Sequence, residues 1–223
     1  YVSRGVRAFK PKIGGVPERD VERLRAIREA VGPDVSLRAD ANQGYTPKEA
    51  IRLCRLADRH GVGLELLEQP VAKDDLPGMA LVRRSVETLI EADESCYSPE
   101  DAVAIVRHGA ADVLNIKIAK AGGLLRACKI AAIAEGAGLQ CVLGTAFGLG
   151  VQMAAKLHLA AALAGAGTAV EFTEVGVHEN FLLPPWNAAF ALPLEDGCLR
   201  VPDGPGLGVD PDWDALSEFR VEA

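Results

Sequence analysis

Residues 35–70 read VSLRADANQGYTPKEAIRLCRLADRHGVGLELLEQP and contain one complete strand–helix–strand pattern. Two short apolar runs, VSLRAD and LELLEQ, enclose a helical pattern with Thr46 as N-cap, Pro47 at its first position and Glu49 at its third. Gly61 lies just past the end of this helix. Strands that are buried on both faces and joined by helical crossovers pair in parallel. The stretch therefore predicts an α/β fold with a parallel sheet.

The same pattern repeats along the chain. Short runs typical of strands alternate with helical patterns such as residues 18–32 and 98–109. The predicted strands are residues 6–12, 35–40, 64–69, 88–93, 112–117, 139–144 and 169–174. This alternation fits either an open doubly wound sheet or a (β/α) barrel.

Charged residues at the strand ends favour the barrel. Five successive predicted strands each have one at or near the carboxyl end: Lys12, Asp40, Glu68, Asp93 and Lys117. An open sheet gathers its site at one switch point, whereas a barrel brings the end of every strand to one mouth. We therefore expect a TIM-type (β/α)7β barrel domain.

Seven predicted strands are one fewer than such a barrel needs. Because the chain opens on Tyr1 rather than on a methionine, we expect a piece of a longer protein in which the first barrel strand precedes this residue. Residues 1–178 are predicted to form barrel strands two to eight. Residues 179–223 are rich in Pro and Gly and are predicted to form a separate packing segment.

Composition argues against several classes of protein. The 223 residues are 49% hydrophobic and carry a net charge of −7, whereas nucleic-acid-binding surfaces are usually basic. No apolar run approaches the roughly 20 residues of a membrane span. The five cysteines lack metal-type spacing and are predicted to be reduced thiols. We expect a cytoplasmic protein that binds neither nucleic acid nor membrane.

Three carboxylates, Asp40, Glu68 and Asp93, converge from adjacent strands of the predicted barrel. Three such charges without a counter-ion are costly, and a hard divalent cation resolves the conflict. An all-oxygen set with room for water and substrate suits Mg²⁺. The alternative is that each carboxylate is a helix N-cap or a surface charge, which explains three matching strand ends less well.

Lys12 and Lys117 lie on the strands before and after the three carboxylates, so a circular mouth places their amines on opposite sides of a metal ion. The α-carbon of a substrate carboxylate would then lie between two proton carriers, and the metal would stabilise the enediolate formed on proton loss. A neighbouring ammonium and a metal dication both lower the pKa of a lysine towards the range of a general base.

Residues 9–15, FKPKIGG, place Lys10 and Lys12 on one face of the first predicted strand, because side chains alternate along a strand. Pro11 between them has no N–H to donate to a ladder. We therefore expect a bulge or an interrupted ladder at Pro11.

Five motifs, in this order and spacing, resemble the barrel domain of the enolase superfamily, in its muconate-lactonizing-enzyme-like branch. They are FKPKIG, LRADANQGY, LLEQP, EADES and NIKIAKAGG, and the resemblance runs from about residue 6 to residue 174. Sites of this superfamily combine a lysine or histidine base with Mg²⁺. The mandelate-racemase branch would place a histidine after the seventh strand, where this chain reads CVLGTAFG without one.

The resemblance implies a role for individual residues. The ligands of Mg²⁺, or of Mn²⁺ in its place, would be Asp40, Glu68 and Asp93. The acid/base pair would be Lys12 and Lys117, and Lys10 would tune Lys12. The resemblance also implies a homo-oligomer and an N-terminal α+β capping domain that closes over the barrel mouth. The C-terminal segment is expected to pack on the barrel or on this capping domain.

Two polar residues follow predicted ligands and could hydrogen-bond them, although both could also be simple turn residues: Asn42 and Gln69. Glu94 follows Asp93 directly and is predicted to support the ligands rather than bind the metal.

Glu171 and Glu174 end the last predicted strand. The resemblance suggests that acidic residues there hold a substrate amino group, although EFTE departs from the usual Asp-x-Asp. Lys120 is predicted to be a solvated residue on a turn.

Lysines on both faces of the substrate permit 1,1-proton transfer, so the leading hypothesis is a racemase or epimerase of an amino-acid derivative. The same apparatus could run a cycloisomerisation or an acid dehydration, with one lysine as base and the other as acid or bystander. A catalytically silent barrel would have lost a ligand or a base, and none is lost here. The expected partner is a small carboxylate substrate.

Overall fold

Seven parallel strands form one sheet in the computed structural model, which describes residues 2–146, 149–163, 169–170, 194–195, 198–210 and 214. The strands pair in chain order, so every neighbour in the sheet is also the next strand along the sequence. Their bounds are β1 Ala8–Phe9, β2 Ser36–Asp40, β3 Leu64–Glu68, β4 Leu89–Ala92, β5 Val113–Ile116, β6 Gln140–Leu143 and β7 Ala169–Val170. All seven predicted strands are confirmed, and residues 171–174 of the last one lie outside the described part.

Helices alternate with these strands. They are a short 3-10 helix at Val2–Arg4, then α1 Pro17–Val31, α2 Pro47–Arg59, α3 Leu76–Arg83, α4 Pro99–His108, α5 Ile118–Ala121, α6 Leu124–Gly136 and α7 Leu149–Ala162. The result is an α/β fold with a half-barrel sheet, of which β1 and β7 are the edges within the described residues. Among these same residues, no helix has the length and apolar character needed to cross a membrane.

Helix ends follow the local sequence. The side chain of Thr46 accepts the backbone N–H of Glu49, and the Glu49 carboxylate accepts the Thr46 N–H at 2.9 Å, which confirms the predicted capping box of α2. Ser98 caps α4 through the backbone N–H of Asp101, and Gly109 ends that helix in the left-handed conformation. These helices therefore begin and end where short-range hydrogen bonding dictates.

The two faces of the sheet carry different side chains. One face meets the helices and contributes to the main core, with Leu37, Leu67, Ile90 and Leu114 among its members. The opposite, inner face carries a small apolar layer of Leu66, Val113 and Val142. Because side chains alternate, the residues two positions further along the strands share this inner face. There the apolar layer gives way to polar groups such as Glu68 and Asn115.

Pro11 interrupts the ladder between β1 and β2, as predicted. Pairing stops after Phe9 and resumes only at Lys12, which forms an isolated parallel bridge with Asp40. Continued pairing of the two strands between these points would need a backbone N–H from residue 11, and proline has none. The register survives because the Pro11 carbonyl accepts the Asp40 N–H at 3.0 Å and the Asp40 carbonyl accepts the Ile13 N–H at 2.8 Å.

The predicted division of the chain after residue 178 stays a prediction, because residues 171–193 lie outside the described part. Beyond them the structure describes an antiparallel pair, β8 Leu194–Glu195 and β9 Cys198–Leu199. The five cysteines are free thiols, as expected.

Replacing Thr46 with Ala should lower the free energy of unfolding by about 1 kcal/mol, because the N–H of Glu49 loses its acceptor. Thr46→Ser keeps the hydroxyl and should stay close to the unmodified protein. Urea denaturation of both variants measures the difference, and equal losses would show that the hydroxyl is not the source of the stability.

Candidate active site

The strand register brings four charged residues into one row at the carboxyl ends of β1 to β4. Lys12 pairs with Asp40, Asp40 with Glu68, and Glu68 with Glu91. Asp93 lies two residues beyond Glu91, just after β4 ends. The three predicted ligands therefore share one edge of the sheet with Glu91, a fourth carboxylate that had no predicted role.

Lys12 lies at one end of this row. Its Nζ contacts Asp40 Oδ2, and Asp40 Oδ1 accepts the backbone N–H of Asn42 at 2.8 Å. The Asp40 side chain is buried, whereas 65% of the Lys12 side chain is exposed. The amine of Lys12 therefore lies where buried carboxylates meet solvent.

Lys10 lies between two buried carboxylates in the middle of the row. Its Nζ contacts Glu68 Oε2 and lies 3.6 Å from Glu91 Oε2. The other carboxylate oxygen of Glu68 accepts a hydrogen bond from Asn115 Nδ2 at 2.9 Å. The ammonium of Lys10 therefore neutralises negative charge on β3 and β4. That Lys10 also tunes Lys12 stays a prediction.

Two lysines hold Asp93. Lys117 Nζ donates to Asp93 Oδ2 at 2.6 Å, while Lys120 Nζ contacts Oδ1 and donates to the Asp93 backbone carbonyl at 2.6 Å. The prediction that Lys120 is solvated is wrong, because its side chain is 10% exposed and its Nζ lies 5.0 Å from the centre of the Tyr97 ring. Helix α5 begins right after Lys117, and residues three apart on a helix share a face. Lys120 is therefore turned back towards the same carboxylate.

Burial and ion pairing together set the pKa values at this end of the row. Burial raises the pKa of Asp93, but the Lys120 and Lys117 ammonium groups outweigh burial and hold that pKa below its ordinary value. Burial lowers the pKa of Lys117, but the Asp93 and Glu68 carboxylates outweigh it and the pKa lies above its ordinary value. The expected lowering of a lysine pKa is therefore not found for Lys117 while it contacts Asp93 directly. A cation that displaced Lys117 from Asp93 would remove the main cause of the rise.

Gln69 ties together the backbone around Asp93. Its buried Oε1 accepts the backbone N–H groups of Asp93 at 3.0 Å and Ser95 at 3.1 Å. Its Nε2 donates to Ser95 Oγ at 2.8 Å and to the Val71 carbonyl at 3.0 Å. The backbone of Gln69 has a φ of +34°, which costs energy in a residue other than glycine and is maintained by these hydrogen bonds.

Asn42 and Glu94 contact each other above the row. Asn42 Nδ2 donates to Glu94 Oε1 at 3.1 Å, while the Asn42 backbone holds Asp40 as described above. The structure therefore brings all three weaker candidates of this region, Asn42, Gln69 and Glu94, close to the predicted ligands. The two remaining candidates lie outside the described residues: Glu171 and Glu174.

Three residues of the site had no predicted role, although the first two of them open quoted motifs: Glu91, Asn115 and Gly144. Glu91 and Asn115 each lie two residues before a predicted site residue. Because residues two apart on a strand share a face, this spacing was a signal that could have found them. Gly144 follows β6, and a Cβ there would lie 2.1 Å from Asn115 Oδ1 and 2.9 Å from Lys117 Cε. Only glycine leaves room for both side chains, and this close approach has no local signal in the sequence.

The donor set suits a hard divalent cation. Asp40, Glu68 and Asp93 are buried oxygen donors on neighbouring strand ends, and each faces at least one ammonium group, so the site is built around positive charge. Within the described part of the chain, no group of three His, Cys, Asp or Glu side chains is placed to hold a metal ion as it stands. An ion held by these carboxylates would therefore have to displace lysine ammonium groups from their oxygens.

Comparison with known proteins identifies the family. A family model described as enolase C-terminal domain-like matches residues 1–215. The chain belongs to this family. The resemblance to the enolase superfamily that the five motifs indicate is thereby confirmed.

The relatives of this enolase-type domain include two kinds of isomerase. An L-Ala-D/L-Glu epimerase of Bacillus subtilis is 42% identical over 210 residues, which are 94% of this chain and 56% of that protein. A dipeptide epimerase of Enterococcus faecalis, solved with Mg and the dipeptide L-Leu-L-Tyr, is 44% identical over 76% of this chain and 48% of that one, with a TM-score of 0.72. The muconate lactonizing enzyme of Pseudomonas fluorescens, solved with muconolactone, is 36% identical over 98% and 57%, with a TM-score of 0.86. The chain thus spans about half the length of these relatives.

Replacing Lys10 with Met should lower the free energy of unfolding by about 3 kcal/mol, because Glu68 and Glu91 stay buried without the ammonium between them. Lys12→Met is the matched control two residues away. It should cost less than about 1 kcal/mol, because removal of this mostly exposed side chain opens Asp40 to water while Asp40 Oδ1 keeps the N–H of Asn42. Urea denaturation with a metal chelator present measures both values. Equal losses would contradict this account of burial.

Acid should weaken the protein in part through Asp93, whose pKa is lower in the folded than in the unfolded chain. The stability that this carboxylate contributes is complete above its ordinary pKa of 3.8 and is lost as the pH falls through the lower folded value. Between about pH 5 and pH 2, the free energy of unfolding should therefore fall more steeply in the unmodified protein than in Asp93→Asn. Denaturation at several pH values with chelator tests this, and parallel curves would refute it.

Proposed function

We propose that this chain carries the active site of a Mg²⁺-dependent enzyme that moves a proton at the carbon α to a substrate carboxylate. Lys12 and Lys117 are its acid/base pair. The reaction is a racemisation or epimerisation of an amino-acid derivative, and the favoured substrate class is a dipeptide. Similarity to the epimerases of Bacillus subtilis and Enterococcus faecalis supports this choice.

The placement of the two lysines carries the proposal. The Lys12 amine contacts Asp40 at one end of the carboxylates, and the Lys117 amine contacts Asp93 at the other end. A substrate carbon between them has a proton carrier on each side, which inversion of configuration requires. A site with one lysine could remove a proton but could return it only to the same face.

Asp40, Glu68 and Asp93 would hold the Mg²⁺, and the ion would supply positive charge that stabilises the enediolate left by proton removal. Neighbouring side chains keep these carboxylates in place. Asn115 holds one oxygen of Glu68, and Gln69 holds the backbone N–H of Asp93. Such contacts orient the ligands of a metal site and make its geometry reproducible.

Each lysine carries its proton at Nζ. For one substrate epimer, neutral Lys12 takes the α-proton and protonated Lys117 delivers a proton to the opposite face. The other epimer uses the two amines in reverse. One amine is therefore neutral and the other protonated at the start of each turnover, and the two exchange states when it ends.

We also propose that the half-barrel sheet belongs to a closed (β/α)7β barrel in which one further strand lies between β1 and β7. Parallel strands in sequential order are the winding of that architecture, which supports the proposal. Closure would bring the ends of β1 and β5, which carry the two lysines, to a common mouth.

A cycloisomerase is the second candidate, favoured by the similarity to muconate lactonizing enzyme over 98% of this chain. In that reaction one lysine moves the proton α to the carboxylate and the second is not needed for inversion. Epimerisation stays the first choice, because both lysines contact the carboxylates and inversion needs a proton carrier on each side.

Incubation of the whole protein with Mg²⁺ in D₂O separates the two candidates. The substrates are L-Ala-L-Glu, L-Leu-L-Tyr and muconolactone, followed by proton NMR. We expect α-deuterium in both epimers of at least one dipeptide, and none when a chelator replaces Mg²⁺. Ring opening of the lactone without dipeptide exchange would favour the cycloisomerase, and the absence of any α-exchange would reject the proposed chemistry.

Lys12→Ala and Lys117→Ala should each slow epimerisation by at least about 100-fold, because each removes one proton carrier. Each variant should still exchange the α-proton of one epimer, and the surviving epimer should differ between the two variants. Lys129→Ala, on an exposed position of α6, is the control and should retain full activity. Loss of exchange from the same epimer in both variants would contradict a site with two faces.

A further inference from the structure

Asp20 is a buried carboxylate that belongs neither to the row of charged residues nor to the proposed reaction. It lies in the first turn of α1 and is 3% exposed. Its Oδ2 accepts the backbone N–H of Gly15 at 2.8 Å, the hydroxyl of Tyr45 at 2.7 Å and, more distantly, the N–H of Gly14 at 3.4 Å. Its Oδ1 accepts a hydrogen bond from Arg23 at 3.1 Å. Asp20 thus joins α1 to the loops that follow β1 and β2.

Arg23 and Tyr45 carry these contacts to the backbone beside Lys12. Arg23 Nη2 donates to the carbonyl of Lys12 itself at 3.0 Å. The Tyr45 hydroxyl accepts the N–H of Gly14 at 3.1 Å while it donates to Asp20. Burial and the hydrogen bond to Asp20 raise the pKa of this hydroxyl above its ordinary value, so it keeps its proton and remains a donor. Backbone groups of residues 12, 14 and 15 are therefore all held by side chains.

Two glycines let the loops after β1 and β2 meet backbone to backbone. A Cβ on Gly14, which has a φ of +116°, would lie 2.5 Å from the Ala41 carbonyl oxygen. A Cβ on Gly44 would lie 2.5 Å from the carbonyl oxygen of Gly14. The loop that carries Lys12 is therefore seated directly on the loop that follows Asp40.

The Lys12 side chain is long and mostly exposed, so the reach of its amine depends on where its backbone is held. We propose that Asp20, Arg23 and Tyr45 form a clamp that positions Lys12 relative to the carboxylates. All three are positioning residues, because they act through the backbone of residues 12–15. This inference rests on the proposed function in taking Lys12 as one of the two acid/base groups.

Two substitutions test the clamp. Tyr45→Phe keeps the buried ring and removes the hydroxyl that bridges Asp20 and Gly14. Asp20→Asn removes the charge that faces Arg23. If Asp20→Asn does not fold, the results for Tyr45→Phe alone test the clamp. Asp34→Asn makes the same chemical change at an exposed position beyond the opposite end of β2 and is the matched control.

The first readout is the rate of α-deuterium incorporation from each epimer of an active dipeptide, with Mg²⁺ present. Lys12→Ala and Lys117→Ala identify the epimer that depends on each lysine. We expect Tyr45→Phe to slow exchange of the Lys12-dependent epimer about tenfold, and Asp20→Asn about 100-fold, since small displacements of a catalytic group have effects of this size. Exchange of the Lys117-dependent epimer should change less than about twofold. Equal loss from both epimers, or no loss, would overturn the clamp, because general damage does not distinguish the two faces.

The second readout is amide hydrogen exchange followed by mass spectrometry, which needs no activity. Peptides that cover residues 13–16 should exchange at least about fivefold faster in Tyr45→Phe, because the Gly14 N–H loses the nearer of its two acceptors. Peptides that cover residues 115–121 should not change, and Asp34→Asn should match the unmodified protein throughout. If the unmodified protein exchanges no α-proton, the proposed function fails, and this measurement alone decides whether the clamp holds the loop. Unchanged exchange at residues 13–16 would overturn it.

Discussion

Negative charge buried at the carboxyl ends of adjacent strands is the constraint on which the rest of this structure depends. Asp40, Glu68, Glu91 and Asp93 are each 2% exposed or less. A buried carboxylate that lacks a counter-charge costs several kcal/mol, so each needs a cation nearby. In the described residues that cation is a lysine that follows β1, follows β5 or lies in α5. The lysines that flank the acids therefore contribute to stability as well as to the proposed apparatus of catalysis.

Along each strand, the inner face of the sheet carries apolar residues first and polar residues nearer the carboxyl end. Leu66, Val113 and Val142 form an apolar layer, and Glu68 and Asn115 begin a polar layer one step of the alternation later. Because the strands are parallel, this change happens at the same edge of the sheet in each of them. Residues that carry chemistry are thus confined to strand ends and the loops after them. Relatives that catalyse different isomerisations can therefore share one core.

Close backbone approach shapes the mouth of the site as much as side-chain packing does. Gly14 and Gly44 let two loops meet without a Cβ between them, and Gly144 leaves space for Asn115 and Lys117. The first contact seats backbone on backbone at the Lys12 end of the row, and the second leaves room for side chains at the Lys117 end. Long, flexible lysine side chains thereby start from defined positions, which limits the volume that their amines can reach.

The pattern of apolar runs and caps was sufficient to predict seven strands, their parallel pairing and the strand ends that carry Lys12, Asp40 and Glu68, because periodicity and capping are local properties. The missing N–H of proline, also a local property, accounts for the interrupted ladder at Pro11. Local patterns did not reveal that Lys10 serves two carboxylates or that Lys120 is buried against Asp93. Ion pairs of this kind depend on lateral register between strands and on the reach of side chains across them. Such distances are set when the strands assemble, and no local stretch of sequence encodes them.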